Sequence, residues 1–149
     1  EPMKEFMTHS PEQTEEVGRT LAENLKGGET LVLRGNLGAG KTRLTKGIAK
    51  GLGVSELVTS PTFTIQNVYA GRLKLYHFDM YRIRDPLELE EIGYYEAIDD
   101  PGGVCVIEWA ENIPGELPRR ILLAELSGSG EERKIAVSEA DSREVDWNR

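Results

Sequence analysis

The eight residues Gly35-Asn36-Leu37-Gly38-Ala39-Gly40-Lys41-Thr42 constrain this chain more than any others. They match G-x-x-x-x-G-K-[ST], a pattern in which each position has its own physical reason. Glycines adopt backbone conformations closed to other residues, so successive N–H groups can turn inward as an anion-binding nest. A helix starting there presents unpaired N–H donors and the positive end of its dipole to the same anion. Lys41 adds a mobile positive charge for β- and γ-phosphates, and the Thr42 hydroxyl is a hard oxygen ligand suited to Mg2+. The flanks agree: Thr30 to Arg34 (TLVLR) is a β-prone run entering the loop, and Lys41 to Leu52 is a helical run ended by Gly53. Strand, loop and helix in that order predict a nucleotide site for ATP and Mg2+, with Leu37, Gly38, Ala39, Gly40, Lys41 and Thr42 around the phosphates. A glycine-rich turn with a solvated lysine is the weaker reading.

At 149 residues the chain fits one domain, 1–149. Ser10 reads as an N-cap, with Pro11 at the first helical position, Gln13 as capping-box partner, and Val17, Leu21 and Leu25 along one face before Gly27-Gly28. Thr62 to Tyr69 and Arg72 to Asp79 read as a hairpin turning at Ala70-Gly71. Asp85-Pro86 begins a short acidic helix, Leu87 to Ile92, closed by Gly93. The unbroken apolar run Val104 to Ile107 is expected of a strand buried on both faces near the centre of a sheet. Arg120 to Ser127 and Glu132 to Ser138 read as a second hairpin at an edge, and the polar tail from about residue 140 as loose, with Trp147 as incidental packing.

Hydrolysis of a nucleotide needs carboxylates near the metal and the attacking water, typically where apolar strands end at the switch-point crevice. Asp79 and Glu108 each close such a strand. Glu108 follows the more apolar one and is the better Mg2+-side acid, directly or through water. Asp79 is then the residue that positions water or makes a second metal contact. Thr62, in Ser60-Pro61-Thr62-Phe63, falls where nucleotide switches sense the γ-phosphate. His77 reads as core or surface filler rather than a catalyst, and Cys105 as a small apolar strand residue.

The formal net charge is -8, the wrong sign for gripping a polyphosphate backbone unaided, so any nucleic-acid role needs a basic partner. A single cysteine rules out an internal disulfide and a cysteine-based metal cluster. No apolar stretch approaches the roughly 20 residues of a membrane-spanning helix. The start, Glu1-Pro2-Met3-Lys4-Glu5, has no basic and apolar leader regions. The expected setting is therefore cytoplasmic, without membrane contact.

Beyond the phosphate loop, Ser-Pro-Thr-Phe-Thr at 60–64, Tyr-His-Phe-Asp-Met-Tyr-Arg at 76–82, Asp-Pro-Leu-Glu-Leu at 85–89 with Gly93, and Ile-Glu-Trp at 107–109 follow one another across most of the chain. In this order and spacing the chain resembles the TsaE (YjeE) family of bacterial ATPases of tRNA threonylcarbamoyladenosine biosynthesis. The resemblance implies an α/β fold: a P-loop NTPase-like three-layer sandwich with a mostly parallel central sheet and antiparallel hairpins at the edges. It implies ATP binding and slow hydrolysis in service of TsaB and TsaD, which with tRNA place a threonylcarbamoyl group on N6 of adenosine 37. By the family pattern Lys41 and Thr42 hold phosphate and Mg2+, Glu108 is the metal-site acid, Asp79 the acid of His-Phe-Asp, Thr62 part of the switch, and Arg133 an arginine near the nucleotide. Asn36 stands where many members have Asp, and Arg43 replaces a common Thr. Trp109 fits either stacking on a base or partner, or packing.

Two other readings stay open at this point. A small-molecule P-loop kinase would need an arginine-bearing lid, for which Arg82 and Arg84 are the thin signal. A nucleotide-gated binding module would need no essential hydrolysis. A GTPase is disfavoured because no Asn-Lys-x-Asp signature exists.

Overall fold

The computed structural model describes residues 3–36, 38–59 and 66–148. Seven strands form one sheet: β1 (Lys4–Thr8), β2 (Thr30–Arg34), β3 (Gln66–Tyr69), β4 (Lys74–Asp79), β5 (Gly103–Glu108), β6 (Arg120–Ser127) and β7 (Arg133–Asp141), in the order β1-β7-β6-β2-β5-β4-β3. The inner strands β6, β2, β5 and β4 run parallel, while β3 pairs with β4, and β7 with both β6 and β1, antiparallel. Parallel neighbours need covered faces, and the strand side chains alternate between two apolar layers. Leu31, Leu33, Leu75, Val104 and Val106 join one core with α1 (Pro11–Ala22) and α2 (Gly38–Gly51). Val32, Phe78, Cys105 and Ile107 join the other with α3 (Glu88–Glu91) and α4 (Tyr94–Ile98). Three layers result, as expected.

The start of α1 follows its cap chemistry. Ser10 is extended and its hydroxyl accepts from the Gln13 N–H at 3.1 Å, while Gln13 Oε1 accepts from His9 N at 2.7 Å, one residue earlier than a standard capping box. The two helices of that layer then meet backbone to backbone. A methyl group built on Gly47 would lie inside the carbonyl of Glu15, and one on Gly18 would lie 2.8 Å from Ile48 N. Glu15 of α1 binds Arg43 of α2 at 2.9 Å and also pairs with Lys50.

Both hairpins are present, with residues 60–65 of the first outside the described chain. On the far flank the outermost strand is β1, which had no expectation, and α4 likewise was not anticipated after Gly93. The tail expected to be loose folds back instead: Ser142 is buried with its hydroxyl donating to Pro118 O at 2.7 Å, and Trp147 Nε1 donates to Ser142 O at 2.9 Å. Arg34 stacks on the Trp147 ring at 5.3 Å, so that tryptophan anchors the tail. Among the described residues no helix is long and apolar enough to cross a membrane.

Candidate nucleotide site

The parallel register brings the ends of β2, β4 and β5 to one edge of the sheet. Leu33 and Asp79 both stand opposite Glu108. His77 and Asp79 are two apart on β4, so they project to the face covered by α2, as Glu108 does beyond Val104 and Val106. Helix α2 starts at this edge, placing Lys41 in its first turn and Thr42 next to it.

These elements build a compact charged cluster. Glu108 is 7% exposed, Lys41 likewise 7%, and Lys41 Nζ lies 3.8 Å from Glu108 Oε1. The other carboxylate oxygen, Oε2, is 2.8 Å from Nε2 of His77, which is wholly buried. A buried carboxylate requires such partners, because taking a charge out of water uncompensated costs several kcal/mol. Asp79 is half-buried and accepts from Tyr81 N at 3.0 Å. Burial pushes its carboxyl above the usual range, opposed by the Tyr81 hydrogen bond and reinforced by the charge of Glu108.

Trp109 directly follows Glu108 at φ +60°, the only positive φ outside glycine among the described residues. This costs about 1–3 kcal/mol and turns the chain sharply out of β5. The indole, 37% exposed, then lies beside Tyr81, centroids 4.8 Å apart, and 5.6 Å from Lys41 Nζ, within cation–π range. Asn112 ties this turn to the end of β4 by donating to Met80 O at 2.9 Å. A cleft of about 570 Å3 opens beside Lys41, reaching Gly35, Asn36, Trp109, Ser127 and Lys134. Its size suits a small organic ligand. Arg133 of β7 closes the loop side. Its Nη1 donates to Glu132 O at 2.8 Å and to Gly130 O, while Nε is buried without a described partner, 3.0 Å from where a side chain on Gly40 would begin.

A chain with this sheet and these helices has known counterparts. The family model for Threonylcarbamoyl adenosine biosynthesis protein TsaE matches residues 8–136. The chain belongs to the TsaE family. The tRNA threonylcarbamoyladenosine biosynthesis protein TsaE of Bacillus subtilis (strain 168) is 42% identical over 140 residues, covering 93% of this chain and 87% of that protein. The TsaE protein of Treponema pallidum (strain Nichols) is 46% identical over 112 residues, covering 75% and 82%. A crystal structure of YdiB from Bacillus subtilis matches with TM-score 0.76 at 37% identity, over 94% of this chain and 86% of that one. The fold is thus that of a TsaE protein, within threonylcarbamoyladenosine biosynthesis.

Among the residues singled out from this TsaE sequence, Gly40, Lys41, Asp79, Glu108 and Arg133 gather at one edge of the sheet, and Thr42 sits beside Lys41 on α2. Gly38 and Ala39 begin that helix. Leu37 and Thr62 lie outside the described residues. Arg43 points away, to Glu15. His77, set aside as filler, belongs to the cluster. The signal that could have found it is a histidine sharing the inward face of its strand with Leu75, two positions before an acid.

Proposed function

We propose that this chain binds and hydrolyses ATP and is required for threonylcarbamoyl modification of N6 of adenosine 37 in tRNAs that read codons beginning with A. It acts in the cytoplasm with TsaB and TsaD. The observation that carries this reading is the meeting of Lys41, at the start of α2, with the strand-end acids Glu108 and Asp79. Arg133 Nε, buried with no partner among the described residues, adds to it, since a buried N–H left unpaired costs about 1–3 kcal/mol and a phosphate oxygen beside Gly40 would accept from it.

The side chains that would face a metal, Thr42, Glu108 and Asp79, offer oxygen only, which suits Mg2+. Among the described residues no three His, Cys, Asp or Glu side chains form a metal-holding group, so phosphate oxygens and water would complete the shell. A Mg2+ ion held there would supply positive charge to offset that of the phosphates. Lys41 leaves Glu108 for the phosphates, the loop N–H groups hold them in line, and Asp79 orients the attacking water. With a net charge of -8, the chain leaves tRNA to its partners, and hydrolysis resets their complex.

ATP turnover measured alone, then with TsaB, TsaD and tRNA, tests this. The expected result is a large rise only in the full mixture, with tRNA modification lost in Asp79→Ala and Glu108→Ala while ATP still binds. An unchanged ATP affinity in Lys41→Ala would refute the site.

A further inference from the structure

We propose that His77 is a positioning residue for Glu108. Its Nε2–H takes up Oε2 of the carboxylate and so leaves Oε1 as the one oxygen available to the cation on the phosphate side. The inference rests on the proposed ATP and Mg2+ site, and adds to it a residue with no assigned role.

Glu108 divides its two oxygens between different partners, His77 at 2.8 Å and Lys41 at 3.8 Å. Only the first is at hydrogen-bond distance. A carboxylate oxygen can only accept, so the hydrogen of that bond belongs to the imidazole. The ring itself cannot drift: His77 is wholly buried, pairs through β4 with Val106 of β5, and sits between Leu75 and Asp79 on the covered face. Its other nitrogen, Nδ1, is buried and has no partner among the described residues. A polar ring whose second nitrogen is unsatisfied loses stability relative to an apolar residue of similar size, by the ordinary cost of a buried acceptor. The bond to Glu108 is what the ring provides in return. Glutamate has more freedom than aspartate, and the backbone alone does not fix where its carboxylate points. A donor held rigidly in the neighbouring strand does, in the way that outer partners orient the ligands of metal sites.

Glutamine and asparagine at position 77 separate this role from simple filling. The glutamine amide can bring a donor to about the place of Nε2, whereas the asparagine amide reaches only to about Nδ1 and falls short of Glu108. Binding of ADP without metal, and the Mg2+ concentration that half-saturates its effect on ADP binding, are measured by calorimetry for wild type, His77→Gln and His77→Asn. The expected result is metal-free ADP affinity within twofold of wild type in both variants. The Mg2+ requirement should rise about tenfold or more in His77→Asn and stay within about threefold in His77→Gln, the range found when an outer partner of a metal ligand is removed. Equal Mg2+ requirements in the two variants, or a parallel loss of metal-free ADP affinity, would overturn the role. Wild-type protein that binds no ADP would instead refute the nucleotide site itself.

Discussion

Gly47→Ala should destabilise the protein although alanine is the better helix former. The new Cβ would lie 2.7 Å from the carbonyl carbon of Glu15 and 3.0 Å from its Cα, and closer still to its oxygen. Carbon–carbon contacts settle near 3.5–4.0 Å, so α1 and α2 must part by about 1 Å. The obstacle is main chain, which no rotamer change removes. Overpacking of this kind costs typically 1–3 kcal/mol, and a backbone clash belongs at the upper end. Alanine returns about 1 kcal/mol of helix propensity, leaving a net loss of about 2 kcal/mol. For a domain of this size that is a fall in Tm of about 4–8 °C. The parting also stretches Glu15–Arg43 and tilts the helix that carries Lys41, so ADP affinity should fall as well. Thermal unfolding by circular dichroism, with Gly115→Ala as control because nothing lies within 4 Å of its added methyl, measures the effect. A Gly47→Ala protein as stable as wild type, or more so, would refute the close backbone contact of α1 and α2.

Asp79→Asn should be more stable than wild type at pH 7.5 and slower in turnover by about 10²-fold or more. Burial raises the folded carboxyl above 3.8, so wild type loses stability as pH rises from there through the folded value, and the deficit persists at neutral pH. Paired Tm measurements should show the difference shrinking below pH 3.8, and a constant difference would argue against that origin. Arg133→Ala should weaken ADP binding about tenfold to a hundredfold, one charge-assisted bond, in calorimetry at constant Mg2+. Burial pushes the Cys105 thiol up to about 12, so a thiol reagent at pH 8 should leave the native protein unlabelled and modify it only on unfolding.

The strand and helix flanking residues 35–37 were legible because each signal is local: an apolar run before, helix formers after. So were the α1 cap and both hairpins, whose turns are written in Gly and Ser. What escaped reading depends on contacts distant in sequence. The strand β1 carries a mostly exposed pattern and exists because Lys4 to Thr8 finds the edge of β7. Five-residue α4 is too short for periodicity and is held by Tyr94 against Phe78, ring centroids 5.5 Å apart. The tail looked loose by composition, yet Trp147 and Ser142 pin it. Gly18, Gly47 and Gly51 read only as weak helix residues, while their purpose is the close approach of two helices. His77 and Glu108 are 31 residues apart, joined by the parallel register of β4 and β5 and by nothing visible along the chain.

An acidic protein with a phosphate loop must keep its few useful cations where they matter. On α2, Arg43 and Lys50 are given to Glu15, whose carboxyl they hold below the usual range, with Lys50 the stronger influence. Lys41 alone of these three turns to the strand ends. There it is neutralised by Glu108 in a setting where both side chains are about nine-tenths buried. Removing one partner of such a pair leaves an uncompensated charge, at a cost of about 3–5 kcal/mol. A bare anion that drew Lys41 away would therefore work against Glu108. An anion arriving together with a cation would not, since the cation takes over the contact that Lys41 gives up. The resting pair thus favours a metal-bound polyphosphate over a free one, which is the ligand class that the proposed function requires.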